Sequence, residues 1–183
     1  MIENQIRVRS GGVERMELRV AGIIRESVVD GPGLRSVVFA QGCPRFCPGC
    51  HNPEAINPEG GKVLEDREIL DVIAKTKLIR GVTFSGGEPF MQAEAFCKLG
   101  KVIKENGLDI MTYTGYTWEE LLHMAQENPE VMELLQLSDY LVDGPFIESK
   151  KDLNMAFRGS QNQRVIDVRE SLQKREVILA RFA

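Results

Sequence analysis

Three cysteines crowd one stretch, "QGCPRFCPGCHNPE" (41–54), where Cys43, Cys47 and Cys50 are spaced C-x3-C-x2-C. The fourth cysteine, Cys97, stands far downstream. Thiolates favour zinc or iron–sulfur centres. Structural zinc usually takes two CxxC-type pairs, and here only Cys47 and Cys50 form one. His51 or Cys97 could be recruited as a fourth ligand. His51 adjoins Cys50 and is poorly placed to close a tetrahedron with its neighbour. Cys97 shares helical spacing with Ala93, Phe96, Gly100 and Ile103, the pattern of a packed core thiol. A 4Fe–4S cube needs one thiolate per iron, so three cysteines leave one iron open to chelate a small molecule. The triad points to a cluster that binds substrate, in preference to a closed electron-transfer centre.

Other residues able to do chemistry fall where strands should end. "LRSVVFAQG" (34–42) is β-branched and apolar, as a buried strand should be, and runs into the cysteine loop. "GVTFSGGEP" (81–89) is a strand closing on Ser85, Gly86, Gly87 and Glu88, and "LDIMTYTG" (108–115) is one closing on Thr112, Tyr113 and Thr114. "YLVDGPF" (140–146) brings Asp143, and "RVIDV" (164–168) is a further strand. Between them, "DREILDVIAKT" (66–76), "AEAFCKLGKVIKENG" (93–107) and "TWEELLHMAQ" (117–126) have helical spacing. The last opens with Thr117 as N-cap and Glu120 three residues on, a capping box. "LRVAGIIRES" (18–27) is an early strand or hairpin before the turn-rich "VVDGPG" (28–33). "VRESLQKRE" (168–176) is a helix and "EVILARF" (176–182) a weak last strand.

Strand–helix alternation implies parallel strands joined by crossovers. The expected fold is an α/β open, partial barrel of about four to six parallel strands flanked by helices, short of the ~250 residues of a closed eightfold barrel. Ligands of such folds bind beyond the C-terminal strand ends, so the glycines and polar side chains there should share one cavity. Residues 1–15 read as a polar extension and 16–183 as a single domain.

Composition sets the class. The 183 residues are 43% hydrophobic and 27% charged, with net charge −4, as in an ordinary globular chain with a substantial core. The mildly acidic balance gives no electrostatic case for nucleic acid or an anionic membrane. No apolar run approaches the ~18–20 residues of a membrane span, and the N-terminus lacks a signal-peptide core. Four cysteines are too few for a disulfide scaffold, and three in one loop fit a reducing compartment, which implies the cytoplasm.

The cysteine triad after a first crossover strand, followed by "SGGEP" after the next, resembles the signature of radical S-adenosylmethionine enzymes. "VDGPGLR" (29–35), "GCPRFCPGCHNPE" and "VTFSGGEP" together resemble the small activating enzymes of glycyl-radical proteins. "TYTGYTWEEL" (112–121), "LVDGPF" and "NMAFRGSQNQRVIDV" (154–168) resemble the activators of the anaerobic, class III ribonucleotide reductase. The likeness spans roughly residues 18–170. One departure stands out: most of the superfamily has an aromatic residue immediately before the third cysteine, near the adenine, where this chain has Gly49.

The resemblance implies a 4Fe–4S cluster on Cys43, Cys47 and Cys50, with the methionine end of S-adenosylmethionine on the open iron. Reductive cleavage would then give a 5′-deoxyadenosyl radical that takes a hydrogen from a glycine of the partner reductase. Gly49, Cys50, His51, Ser85, Gly86, Gly87, Glu88, Thr112, Tyr113 and Thr114 become candidates for holding the cofactor. Asp143 becomes a candidate for a cation beside it. Asp30, Gly31 and Arg158 are candidates for lying near the partner. A low-potential donor such as flavodoxin or ferredoxin would supply the electron. Two alternatives stay open: an activator of a pyruvate formate-lyase-like enzyme or another small radical enzyme, and a non-enzymatic zinc or iron–sulfur module. In that last case "SGGEP" and "DGPG" are only turns.

Overall fold

Val82, Phe84, Ile110, Leu141 and Ile166 alternate along their strands with Thr83, Ser85, Met111, Val142 and Val165. Side chains on a strand point to opposite faces in turn, so this period of two gives the sheet two different faces. A computed structural model describes residues 16–182; the extension expected over 1–15 lies outside the described residues. The strands are β1 (Glu17–Ser27), β2 (Arg35–Ala40), β3 (Lys62–Glu65), β4 (Gly81–Gly86), β5 (Asp109–Tyr113), β6 (Tyr140–Asp143) and β7 (Arg164–Asp167). The helices are α1 (Asp66–Ala74), α2 (Ala93–Glu105), α3 (Trp118–Met124), α4 (Pro129–Leu137) and α5 (Val168–Lys174).

The strands form one sheet in the order β3-β1-β2-β4-β5-β6-β7. Its middle is parallel, with Val38 opposite Phe84, Phe84 opposite Thr112, and Thr112 opposite Leu141. Both margins are antiparallel: β1 pairs with β2 and β3, and β7 with β6. The sheet is therefore mixed, with β3 and β7 as its edges. The strand expected over 164–168 runs against its neighbour because the chain between β6 and β7 holds no crossover helix, which a parallel return requires. The weak strand expected at the C-terminus is reduced to a bridge between Leu179 and Ile166.

One face carries the main core. Val38, Val82, Phe84, Ile110, Leu141 and Ile166 pack under Ile69, Ile73, Phe96, Leu99, Ile103, Leu121 and Leu134 of the helices. The other face carries a small cluster, Met111, Val142 and Val165, with Tyr113 and Phe157 against it. Helix ends follow from local chemistry. Thr117 and Glu120 form the capping box, Glu65 and Glu68 form another, and Gly107 follows α2 at φ +74.

Arg35 explains the "VDGPGLR" turn. Its side chain is fully buried, with Nε donating to Thr83 Oγ1 (2.8 Å) and Nη1 to Pro32 O (3.2 Å) and Asp109 Oδ1 (2.5 Å). A buried guanidinium is tolerable only when its charge and donors are met in this way. Thr83 Oγ1 in turn donates to Asp30 O (2.7 Å), so the turn is pinned to the sheet. Gly31 sits at φ +138, where a Cβ would come 2.7 Å from Met111 Sδ.

Candidate functional site

The parallel strand ends enclose a cavity of about 400 Å³. Cys43, Cys47 and Cys50 line it, with Ser85, Gly86 and Gly87 from the end of β4 and Tyr113, Thr114 and Gly115 from the end of β5. Gly144 and Phe146 after β6, His51 and Gly159 also line it, and Asp30 does so from the pinned turn. Tyr113 faces the cavity, whereas its neighbour Thr112 is buried and bonded to Ser138 Oγ (2.7 Å), a hydroxyl that also reaches Leu134 O of α4 (2.9 Å).

The cysteine loop is fastened at both ends. Gly42 N donates to Ala55 O (2.8 Å), Cys43 N to Ile56 O (3.0 Å) and Glu88 N to Gly42 O (2.7 Å). Gly86 and Gly87 are needed for this approach. A Cβ on Gly86, at φ +99, would stand 2.6 Å from Ala40 N, and one on Gly87 would stand 2.3 Å from Gly42 O. All three cysteines are free and partly exposed. Burial pushes the Cys43 thiol above its ordinary value, and the nearby Glu88, Cys47 and Cys50 push the same way, against the Arg45 backbone N–H.

Among the described residues no three His, Cys, Asp or Glu side chains are set to hold one metal ion. A cube takes each thiolate at a different iron. Three free cysteines lining one cavity are the donor set that a cluster takes at three of its irons. Cys97 lines no part of this cavity: its thiol is buried between α2 and α4, donates to Glu130 O (3.3 Å), and is pushed by burial to about 12.

Glu88 is fully buried and braces the site from behind. Its carboxylate accepts from Phe90 N (3.1 Å), Thr114 Oγ1 (2.9 Å) and Gly115 N (2.8 Å), joining the β4 and β5 loops. Burial pushes it up to about 7 against the pull of those donors. Asp143 is equally committed. It accepts from Trp118 N (2.8 Å) and pairs with Arg164 Nε (3.0 Å) and Nη2 (2.5 Å), so the cation beside it is a guanidinium. Burial, and then Asp30, raise the Tyr113 hydroxyl above its usual range.

Asp30 and Arg158 meet at a second hollow, which shares His51, Tyr113 and Gly159 with the first. Ser27 Oγ donates to Asp30 (2.5 Å), and Arg158 Nη1 to Gln163 O (3.2 Å). Gly31 packs against Met111 and Arg35 and lines neither. Several cavity residues escaped the sequence reading, Arg45 and Phe146 among them. Arg45 lies 4.4 Å over the Tyr116 ring and pairs with Glu120, and Phe146 contacts His51 with ring centroids 4.7 Å apart. An arginine between two cysteines was a visible signal; Phe146, one residue past a turn, offered none.

The 4Fe–4S single cluster domain family matches residues 29–166. The chain is 35% identical to an anaerobic ribonucleoside-triphosphate reductase-activating protein of Escherichia coli K12 over 151 residues, 78% of this chain and 94% of that protein. To the protein of that description in Vibrio cholerae it is 36% identical over 144 residues, 74% of this chain and 89% of the relative. To the pyruvate formate-lyase-activating enzyme of Clostridium pasteurianum it is 41% identical over 113 residues, 57% of this chain but 48% of that enzyme.

Proposed function

This chain belongs to the 4Fe–4S single cluster domain family and to the family of anaerobic ribonucleoside-triphosphate reductase-activating proteins, and from that premise we propose that it is a radical S-adenosylmethionine enzyme activating an anaerobic ribonucleotide reductase. One observation carries the reading: three free cysteines share a cavity with the Ser85–Gly87 turn, while the fourth is buried elsewhere. Cys43, Cys47 and Cys50 would hold a 4Fe–4S cluster. Bound there with S-adenosylmethionine, the cluster supplies reductive cleavage of the sulfonium and the hydrogen abstraction from a partner glycine that follows.

The chain's own residues bind and orient. Ser85 and the backbone of Gly86 and Gly87 receive the amino-acid end of the cofactor, beside the thiolates. Tyr113 offers a hydroxyl on the cavity floor, whereas the Thr114 hydroxyl donates to Glu88 and accepts from Tyr116 N, so that its part is to shape the wall. Glu88 and Asp143 hold the strand-end loops, Arg35 pins the turn before β2 to the sheet, and none of the three touches substrate. The helix-free face of the sheet is then the inner face of a partial barrel of the radical S-adenosylmethionine type, in one domain.

The partner is a large glycyl-radical protein, the electron comes from a low-potential donor such as flavodoxin or ferredoxin, and the setting is the cytoplasm. Among the described residues no helix is long and apolar enough to cross a membrane. A second reading, activation of a pyruvate formate-lyase-like enzyme, is favoured by the 41% identity over 113 residues and weakened by how little of that enzyme the match covers. Anaerobic reconstitution with iron and sulfide, then S-adenosylmethionine and reductant, should yield 5′-deoxyadenosine. Each candidate reductase is then added, and an organic doublet in the paramagnetic resonance spectrum identifies the substrate. A colourless zinc protein that yields no 5′-deoxyadenosine would overturn the proposal.

A further inference from the structure

We infer that Phe146 is the surface on which the adenine of S-adenosylmethionine stacks, a specificity-determining residue at the β6 end of the cavity. The assignment rests on the reading that this cavity takes that cofactor. The residue before the third cysteine is Gly49, which has no side chain to offer a base. It sits at φ +71, and a Cβ there would come 3.3 Å from Phe146 Cε1 and 3.1 Å from the Glu148 carboxylate. The space over this part of the cysteine loop is thus taken by a ring from the loop after β6. Gly159 gives way to the same ring: its Cβ would stand 3.2 Å from Phe146 Cδ2 and 3.1 Å from His51 Cε1.

The ring is held by its neighbours on both sides. Ile147 N donates to Ser160 Oγ (3.2 Å), Asn162 Nδ2 to Pro145 O (2.8 Å) and Gln163 Nε2 to Gly144 O (3.0 Å). Gln163 Oε1 accepts from Gly159 N (2.9 Å) and Ser160 N (3.2 Å), fixing the segment that grips the loop. Phe146 is partly buried and lines the cavity, tilted 49° from the His51 ring. An aromatic ring pre-set in this way on the cavity wall suits a flat heteroaromatic ligand.

Position along the sheet agrees. β6 lies two strands from β4, about 10 Å at ordinary strand spacing. The cavity therefore has backbone groups of Gly86 and Gly87 at its β4 end for the amino acid and an aromatic ring at its β6 end, beside Gly49, for the base. Phe39 and Tyr113 also line it, but both belong to floor strands of the sheet.

The test is binding without turnover: equilibrium dialysis of S-adenosylmethionine, and of S-adenosylhomocysteine as a second probe, against the oxidised, reconstituted protein. Stacking of one base on an aromatic ring predicts about ten-fold weaker binding of both for Phe146→Leu, with parent-like affinity for Phe146→Tyr and iron content unchanged in each. If Phe146→Ala fails to retain iron, the Leu and Tyr pair, which keeps the volume, decides. Parent-like affinity in Phe146→Leu overturns the assignment, and so does a loss seen only in Phe39→Leu, which would move the base to the floor. No binding by the parent protein overturns the enzymatic reading itself and this assignment with it.

Discussion

A cysteine serves as ligand or as packing according to what surrounds its sulfur, and the four here divide on that line. Cys43, Cys47 and Cys50 line a cavity, whereas Cys97 is closed in by α2 and α4 with its thiol pushed to about 12. Replacing any of the first three with alanine should abolish retention of iron after reconstitution. Cys97→Ala should retain it in full and lose only about 1 kcal/mol of stability for the small void. Equal iron loss in Cys47→Ala and Cys97→Ala would reverse the assignment. Gly87 makes a different demand, because a Cβ there strikes the Gly42 carbonyl, a backbone atom that cannot swing away. Gly87→Ala should cost about 2–3 kcal/mol in a denaturant titration of the iron-free protein; a change below the error of the method would show that the loop yields freely. The triad was legible because its spacing is local. The roles of Glu88 and Asp143 were not, because their partners, Thr114 and Arg164, are set only by strand order.

Elements were legible where period and cap agreed. The helix after Thr117 and the strand running into the cysteine loop follow the sequence closely. α4 begins at Asn128 and Pro129, a sound start signal, yet it directly follows another helix and no strand intervenes to set it apart. β3 has four residues, too few for a period, and exists because β1 is long enough to pair on both sides. What joins the β4 and β5 loops is the Glu88 carboxylate, and its proton makes that joint sensitive to pH. Folding raises its pKa from 4.5 to about 7, so the folded state holds the proton more tightly than the unfolded chain. The stability this contributes is complete below the unfolded value and is lost as pH rises through about 7. Between about pH 5 and pH 8 the parent should lose more stability than Glu88→Gln, whose amide has no proton to release. Identical slopes for the two iron-free proteins would show that the buried carboxyl stays ionised throughout. Asp143→Asn, which leaves Arg164 with only the exposed Glu119, should lower stability by about 2 kcal/mol, less than a fully buried pair because the guanidinium is partly in water.

The molecule as a whole puts nearly all its packing on one face of the sheet and its chemistry on the other. Among the described residues five helices cover the first, while the cavity face is bounded by loops whose residues reach solvent, among them Gly49 and His51. A reactive carbon radical generated there would be open to side reactions, since excluding water is what suppresses them. The expectation is that this chain supplies the cofactor-binding half of the chemistry and that the protein whose glycine is attacked supplies the enclosure. The expected outcome is that 5′-deoxyadenosine forms slowly and without a matching product when the reconstituted protein acts alone. With the reductase present it should form at least about ten times faster, in step with the glycyl radical, which corresponds to roughly 1.4 kcal/mol of barrier. Parallel counts of 5′-deoxyadenosine by chromatography and of radical by paramagnetic resonance give the ratio directly. Rapid, stoichiometric hydrogen abstraction from a free small molecule, with no protein partner, would mean that the open face is closed by the chain itself.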